Sequence, residues 1–502
     1  MHRLATATLV EGGGLAFALV GSLSVVAVLA SGDRAWLLFY DGDSVLPALV
    51  AGSLRISQPQ DWALSPVLFL PELSLFLLLD SLGLTTKGTF LAYAVASCVI
   101  LYVSLRFLPY AAGLDRHRRK DIASALLGFA FVLLLISLDR SDDRNSLEVA
   151  SLVVTGTYYG ATTVAMLLSV ALVARLVSAD RPRFRLGAAV TGIAALSTMS
   201  NPIYLAWCTT PLILVVLLIV RAKRVGVQQG ATIIALLLLG VGSGIALRLP
   251  FSEVIVSDVA TYARFDRVLA SLEYYAGLIS ARAATADGLV AVLLTGASIG
   301  ACSVAYRIHA LRRNTAGILV CGFGMIAPLV ILVGSVLLGT QASRYLAALF
   351  FAPVAGLIVI LRMRLRSTGV HRLVRALGVL AAISAAFLAA CRLNHISRTL
   401  DPDLRCVIDW IESAEGTGAG QFWTVRSAKA YLDEPNRLLQ VDQTMSPYRW
   451  LINQADFEDR KVSFLITGPN DAGFEPVDEH ARKECGAFTI HTGVSASLRG
   501  SG

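Results

Sequence analysis

Apolar residues fill the first 391 positions in blocks of about 15–24, each closed by a short polar stretch; a helix of that length crosses ~30 Å of hydrocarbon. Eleven such runs lie near 14–31, 88–108, 122–138, 158–178, 186–200, 203–220, 230–247, 286–306, 315–338, 345–361 and 373–391. His2 and Arg3 are the only basic residues before the first, with no clear small-residue cleavage site, which predicts a retained helix rather than a signal peptide. Ser200–Asn201–Pro202 is a turn signal that divides 186–220 into two helices.

Three polar segments are too long to be simple connectors: 32–87, 248–285 and the tail from Arg392. In the first, Ser44–Ile56 and Pro66–Leu82 are moderately amphipathic. They are expected to lie as short helices in the membrane interface, with Trp36 and Trp62 at headgroup depth; an ordinary loop is the alternative. The tail lacks a spanning run. It predicts helices near 403–414 and 426–433 and strands near 420–424, 437–441, 462–467 and 487–491. The expected fold is therefore mainly α. A polytopic bundle of about eleven transmembrane helices over 1–391 precedes a small extracytoplasmic α/β domain over 392–502.

Composition agrees with a lipid solvent: of 502 residues, 55% are hydrophobic and only 16% charged, against about a quarter charged in soluble domains. The net charge of +8 changes the picture only once it is mapped. Arg3, Arg116–Lys120, Arg181–Arg185, Arg221–Arg224, Arg307–Arg313 and Arg362–Arg372 fall in alternate connections, which the positive-inside rule assigns to the cytoplasm. Apart from Glu11, Asp115, Asp121 and Asp180, all of the 35 acidic residues fall on the other side. The excess charge sets topology, with the N-terminus inside and the tail outside a cell (inner) membrane, and implies no nucleic-acid partner. Cys406 and Cys485, both in the tail, can form a disulfide in that oxidising compartment.

The spans hold no ionisable residue at depth; Arg106, Arg175 and Arg375 sit near cytoplasmic ends and can snorkel. Chemistry is therefore expected at the outer surface. Asp41–Gly42–Asp43 follows the first span, and two carboxylates one glycine apart can hold a divalent cation or act as base and positioner. Alternatively Asp43 caps the helix after it. Asp139, Asp142, Asp143 and Glu148 form a second acidic loop, either a carboxylate lobe facing the first or a solvated loop paired with its own Arg140 and Arg144. Gln341, Ser343, Arg344 and Tyr345 occupy a short outer turn. Arg344 there suits bidentate phosphate binding or serves as an interfacial anchor. Arg248, Arg264, Arg267 and Arg282 can add phosphate contacts. Glu72, Trp62, Asn201, Tyr158 and Tyr159 are further outer polar or aromatic candidates, and the tail aromatics serve either a core or sugar stacking.

Taken together, the eleven spans, the long first outer loop, Asp41–Gly42–Asp43, the Arg344–Tyr345 pair and the soluble outer tail resemble the GT-C membrane glycosyltransferases. That group contains protein O-mannosyltransferases, lipid A aminoarabinose transferases, arabinofuranosyltransferases and oligosaccharyltransferases. The resemblance implies a hexosyl- or pentosyltransferase that takes sugar from a polyprenyl-phosphate donor. The acceptor would be an envelope glycolipid, polysaccharide or protein on the outer face of the bilayer. It also implies that Asp41 or Asp43 is the general base, that Arg344 with Tyr345 binds the donor phosphate, and that Asp139, Asp142 or Asp143 matches a second acidic loop. Some branches use Mg or Mn, which Asp41 and Asp43 would help to hold. The second loop lacks a clean Asp-x-Asp, and the tail matches no carbohydrate-binding module. A lipid or polysaccharide transporter or flippase, and a non-catalytic envelope-assembly protein, are the competing readings.

Overall fold

The computed structural model describes residues 2–112, 117–179, 183–256, 263–364, 372–458, 461–469, 471 and 481–497. Asp115, Arg116, Asp180, Arg181, Asp258 and Arg366 lie outside them, as do the side chains of Arg3, Arg372 and Arg375.

The apolar runs become helices α1 (His2–Leu29), α5 (Thr86–Ala111), α6 (Arg118–Ser137), α7 (Gly160–Val177), α8 (Phe184–Ser200), α9 (Thr210–Arg221), α10 (Val227–Ala246), α12 (Ala286–Leu311), α13 (Thr315–Leu337), α14 (Ala347–Arg364) and α15 (Arg372–Ser397). Among the described residues, nine helical segments are long and apolar enough to cross a membrane; α8 and α9 are shorter. The chain is a multi-pass membrane protein. Three of these helices begin alike. Thr85, Thr285 and Asn314 accept the amides of Gly88, Gly288 and Gly317, which satisfies one orphan N–H at each start.

The remaining helices gather at one end of the bundle: α2 (Ala35–Phe39), α3 (Leu46–Arg55), α4 (Leu70–Asp80), α11 (Val268–Ala283), α16 (Pro402–Ser413) and α17 (Phe422–Lys429). Helices α3 and α4 match the two amphipathic stretches. Yet α3 is buried from Leu46 to Gly52 on nearly every side, because the tail covers it. Trp62 is not an interfacial anchor either. It lies in β1 (Trp62–Ala63), which pairs antiparallel with β4 (Ile452–Asn453) of the tail, and its indole donates to Gln60 at 2.9 Å. The loop edge is an unpaired strand edge that the tail completes.

In the tail, β3 (Leu438–Val441), β2 (Thr417–Gln421), β5 (Lys461–Thr467), β7 (Phe488–Ser497) and β6 (Ala481–Cys485) form one sheet in that order. β2 runs parallel to β3 and β5, and β7 antiparallel to β5 and β6. The expected strand 420–424 ends instead at Gln421, and Phe422 and Trp423 open α17, a helix expected only from 426. Strand β6 has no counterpart among the strands expected from the sequence. Cys406 on α16 and Cys485 on β6 are disulfide-bonded. The tail's apolar core runs on into that of the loop and bundle. Tyr431 donates to the Phe39 carbonyl at 2.9 Å, and Gln58 to Asp456 at 2.8 Å. Buried Lys429 holds the other Asp456 oxygen at 2.7 Å.

Candidate active site

The Asp41–Gly42–Asp43 turn links α2 to α3, and its two carboxylates have different surroundings. Asp41 is buried. One of its oxygens accepts the amides of Asp43 (3.1 Å) and Ser44 (3.2 Å), the Ser44 hydroxyl (3.4 Å) and the Tyr158 hydroxyl (3.1 Å). Its other oxygen faces Arg144 at 3.4 Å. The capping role expected of Asp43 thus belongs to Asp41, as an Asx turn, and α3 itself has Val45 at its N-cap position, without a side-chain cap. Burial and the two neighbouring carboxylates hold the Tyr158 hydroxyl well above its ordinary pKa, so it stays a donor to Asp41.

Asp43 is half-buried, and among the described residues no hydrogen bond reaches its carboxylate. Burial and Asp41 push that carboxyl above its ordinary value, while Arg344, Arg426 and Arg144 pull against them. Three guanidiniums from three distant segments thus surround two carboxylates, leaving one positive charge in surplus. Such a recess suits an anion. It does not suit a magnesium or manganese ion at Asp41 and Asp43, because Asp41 is already occupied by donors and the guanidiniums repel a cation. Among the described residues no group of three His, Cys, Asp or Glu side chains converges elsewhere.

Arg344 sits on the short 3₁₀ turn Ser343–Leu346 ahead of α14. Its guanidinium is 5.9 Å from the Tyr345 ring, which stacks on Tyr159 at 6.5 Å. Trp207 packs edge-on against Tyr159 at 5.7 Å and donates its indole N–H to the Tyr345 carbonyl at 2.9 Å. Tyr159 can sit there because its φ of 68° turns the chain into α7, and Gly160 follows because a Cβ would lie 2.8 Å from the Val153 carbonyl. Ser343 donates to the Arg144 carbonyl at 3.2 Å, which ties this turn to the second loop. Gln341 stands apart, exposed, and donates to Ala270 at 3.4 Å.

The second loop behaves in neither expected way. Arg140 pairs with Asp287 at 2.9 Å and Arg144 with Asp41, so the loop is not self-paired. Its carboxylates do not converge on the first pair. Asp139 accepts from the Ser151 amide (2.7 Å) and pairs with buried Arg282 (3.0 Å), which also holds Glu148. Arg34 donates to Ser151 (2.9 Å) and to the carbonyls of Ser141 (2.6 Å) and Glu148. Burial, opposed by Arg34, the Ser151 amide and Arg282, pushes Asp139 up to about 6. Asp142 is exposed, and Asp143 accepts the Asn145 amide at 2.8 Å. Of the arginines expected to add phosphate contacts, Arg282 is spent on this network, Arg248 holds the carbonyls of Met199 and Pro66, and Arg264 and Arg267 are exposed. Buried Asn201 braces the α8 end, with its amide 3.3 Å from Thr162.

Glu72, on α4, is buried at the head of an apolar cavity of about 310 Å³ between α4, α5, α7 and α8. The Ala161 amide, at the start of α7, donates to it at 3.0 Å. Burial pushes its carboxyl up to about 7 from an ordinary 4.5. The folded state favours the neutral acid, so this site's stability is full below pH 4.5 and is lost as pH rises through 7. That gap corresponds to roughly 3 kcal/mol. Glu72→Gln keeps the acceptor for Ala161 and cannot ionise. It is expected to match wild type near pH 4.5 and to be more stable by roughly that amount at pH 8, as read from thermal unfolding at the two pH values. Equal pH dependence in both proteins would refute the assignment.

Sequence reasoning missed two contributors. Arg426 lies buried in the short helix α17, three residues before Lys429, and Arg144 stands among the acids of its own loop. Arg426 has no acid within six residues on either side, and Arg144 directly follows Asp142 and Asp143, so neither position signals a partner elsewhere in the chain.

This bundle, with its loop turn, late arginine turn and docked outer layer, shares its overall fold with a solved membrane-protein structure. It is similar to the crystal structure of ArnT from Cupriavidus metallidurans bound to undecaprenyl phosphate. The TM-score is 0.54 at 14% identity, over 96% of this chain and 99% of that one. No family model and no curated protein matches the sequence.

Proposed function

We propose that the protein is a glycosyltransferase that moves a sugar from a polyprenyl-phosphate donor to an envelope acceptor at the outer face of the cell membrane. The observation that carries this reading is that the Asp43 carboxylate accepts no hydrogen bond among the described residues while Arg344, Arg426 and Arg144 act on its charge. Asp43 takes the proton of the acceptor hydroxyl as its oxygen attacks the anomeric carbon. The bond from that carbon to the phosphate oxygen breaks, with inversion, and the lipid phosphate leaves. Arg344 stabilises the negative charge gained by the phosphate, supported behind by Tyr345, Tyr159 and Trp207. Asp41, tied to Tyr158 and Arg144, fixes the turn. The apolar cavity beneath Glu72, with Ile100 and Leu196 exposed at its rim, suits an isoprenoid chain. The likeness to ArnT, seen bound to undecaprenyl phosphate, supports the same donor class here.

The test is direct. Purified protein in proteoliposomes is given a panel of synthetic undecaprenyl-phosphate monosaccharides and an extract of envelope glycolipids, polysaccharides and proteins. Release of undecaprenyl phosphate coupled to sugar appearing on one acceptor fraction is the expected result. Movement of the lipid-linked sugar between leaflets without any transfer would favour a flippase instead.

A further inference from the structure

Arg426, on α17 of the tail, is fully buried, and its bonds are unusual for a structural arginine. Its Nε donates to the carbonyl of Gly42, the middle residue of the site turn, at 2.6 Å. One terminal nitrogen donates to Gln440 at 3.2 Å and to the Leu451 carbonyl. The other, Nη2, is buried and has no partner among the described residues. An unsatisfied donor on a buried cation is costly, and this nitrogen is available to a further acceptor. The charges it senses are Asp43, Asp41 and Asp456. Asp456 is already held by Lys429 and Gln58, and Asp41 by its own set of donors.

The rest of α17 grips the same turn. A Cβ on Gly42 would lie 2.7 Å from Phe422 and 2.9 Å from Trp423, so glycine is required by the closeness of these rings. The guanidinium of Arg144, paired with Asp41, lies 3.2 Å over the Trp423 ring. Both carboxylates are thus set from the tail side.

We propose that Arg426 is a positioning residue for Asp43: it fixes the turn through the Gly42 carbonyl and offers its spare Nη2 to the Asp43 carboxylate in the working state. The tail is therefore part of the catalytic site in cis. This rests on the reading of Asp43 as the base. The groups facing Asp43 are Asp41 on its own turn, Tyr158 and Arg144 of the second loop, Arg344 ahead of α14, and Arg426 and Tyr448 of the tail. Removing one of the three cations disfavours ionised Asp43, so the acidic limb of the rate profile moves up.

The experiment uses full-length protein in proteoliposomes, with undecaprenyl-phosphate monosaccharides as donors and the envelope extract as acceptor. Arg426→Gln is expected to raise the acidic limb by about one pH unit or more and to lower kcat at least about tenfold. Donor KM should change less than about twofold. Arg426→Lys, which keeps the charge, should leave the limb near wild type. Folding is checked by melting temperature and by the Cys406–Cys485 bond. If Arg426→Gln does not fold, Gly42→Ala decides. Gly42 is outside the left-handed region, so alanine meets only the crowding of Phe422 and Trp423. It should displace α17 and reproduce the limb shift. A folded Arg426→Gln or Gly42→Ala protein with wild-type kcat and limb, alongside an inactive Asp43→Asn, overturns this inference alone. An active Asp43→Asn overturns the base assignment and this inference with it.

Discussion

Asp43→Asn is expected to reduce transfer by about a thousandfold or more, within the range for loss of a general base, while leaving the fold intact. Asparagine has nearly the same shape but cannot take a proton. No hydrogen bond to the Asp43 carboxylate is lost among the described residues, so stability has little reason to change. Asp41→Asn should behave oppositely. Its side-chain oxygen can still accept from the Asp43 and Ser44 amides, but the charge facing Arg144 is gone. A loss of stability and a smaller rate defect, about tenfold, are expected. The pH profile follows from the same environment. Asp43 must be ionised to act, and its carboxyl is held above its ordinary value. The rate should thus fall on acidification, at a pH above that of an exposed aspartate. Initial rates and melting temperatures of both variants settle the matter. A fully active Asp43→Asn with a dead, stable Asp41→Asn would move the base to Asp41.

Much of this arrangement is legible in the chain because it is written in local pattern. Apolar runs set the helices, basic clusters mark one end of the bundle, and a charged tail marks the other. The acidic turn and Arg344 also stand out, since each is a charged element in a short connector next to a span. The remainder depends on contacts between distant residues. Arg426 meets Gly42 384 positions away, and nothing near either residue encodes that bond. The strand before α17 shows the same limit. Thr417–Gly418–Ala419–Gly420–Gln421 has poor β-propensity, yet pairs on both sides. Phe464 packs where a Cβ at Gly418 would go, and Val425 and the Ile466 carbonyl crowd Gly420. Packing, not propensity, makes it a strand, so the periodicity shifted the element by three residues and gave Phe422 and Trp423 to the wrong structure. The second acidic loop failed differently. Its composition left open whether its arginines pair inside or outside the loop, and the answer lay with Arg34, Arg282, Asp287 and Asp41 elsewhere in the chain.

Arg344→Gln should lower kcat by about 10²–10³-fold, the scale for removing one preorganised donor to developing charge, or roughly 3–4 kcal/mol. The other two guanidiniums are already engaged. Arg144 is committed to Asp41 and stacked on Trp423, and Arg426 is committed to the tail and the Gly42 carbonyl. Among the described residues Arg344 has no hydrogen bond or ion pair, and its contact is the face of Tyr345. It is the cation left to meet a phosphate. Arg344→Lys keeps the charge but loses the planar fork, so it should recover only part of the rate. If Arg344 acts on the leaving phosphate, undecaprenyl phosphate, the released product, should inhibit Arg344→Gln much less than wild type, and added salt should matter less to the variant. An anchor that only snorkels to the interface would show neither effect. Wild-type kcat and unchanged inhibition by undecaprenyl phosphate in a folded Arg344→Gln protein would remove this residue from the mechanism. A rise in acceptor KM alone would place it on the acceptor side.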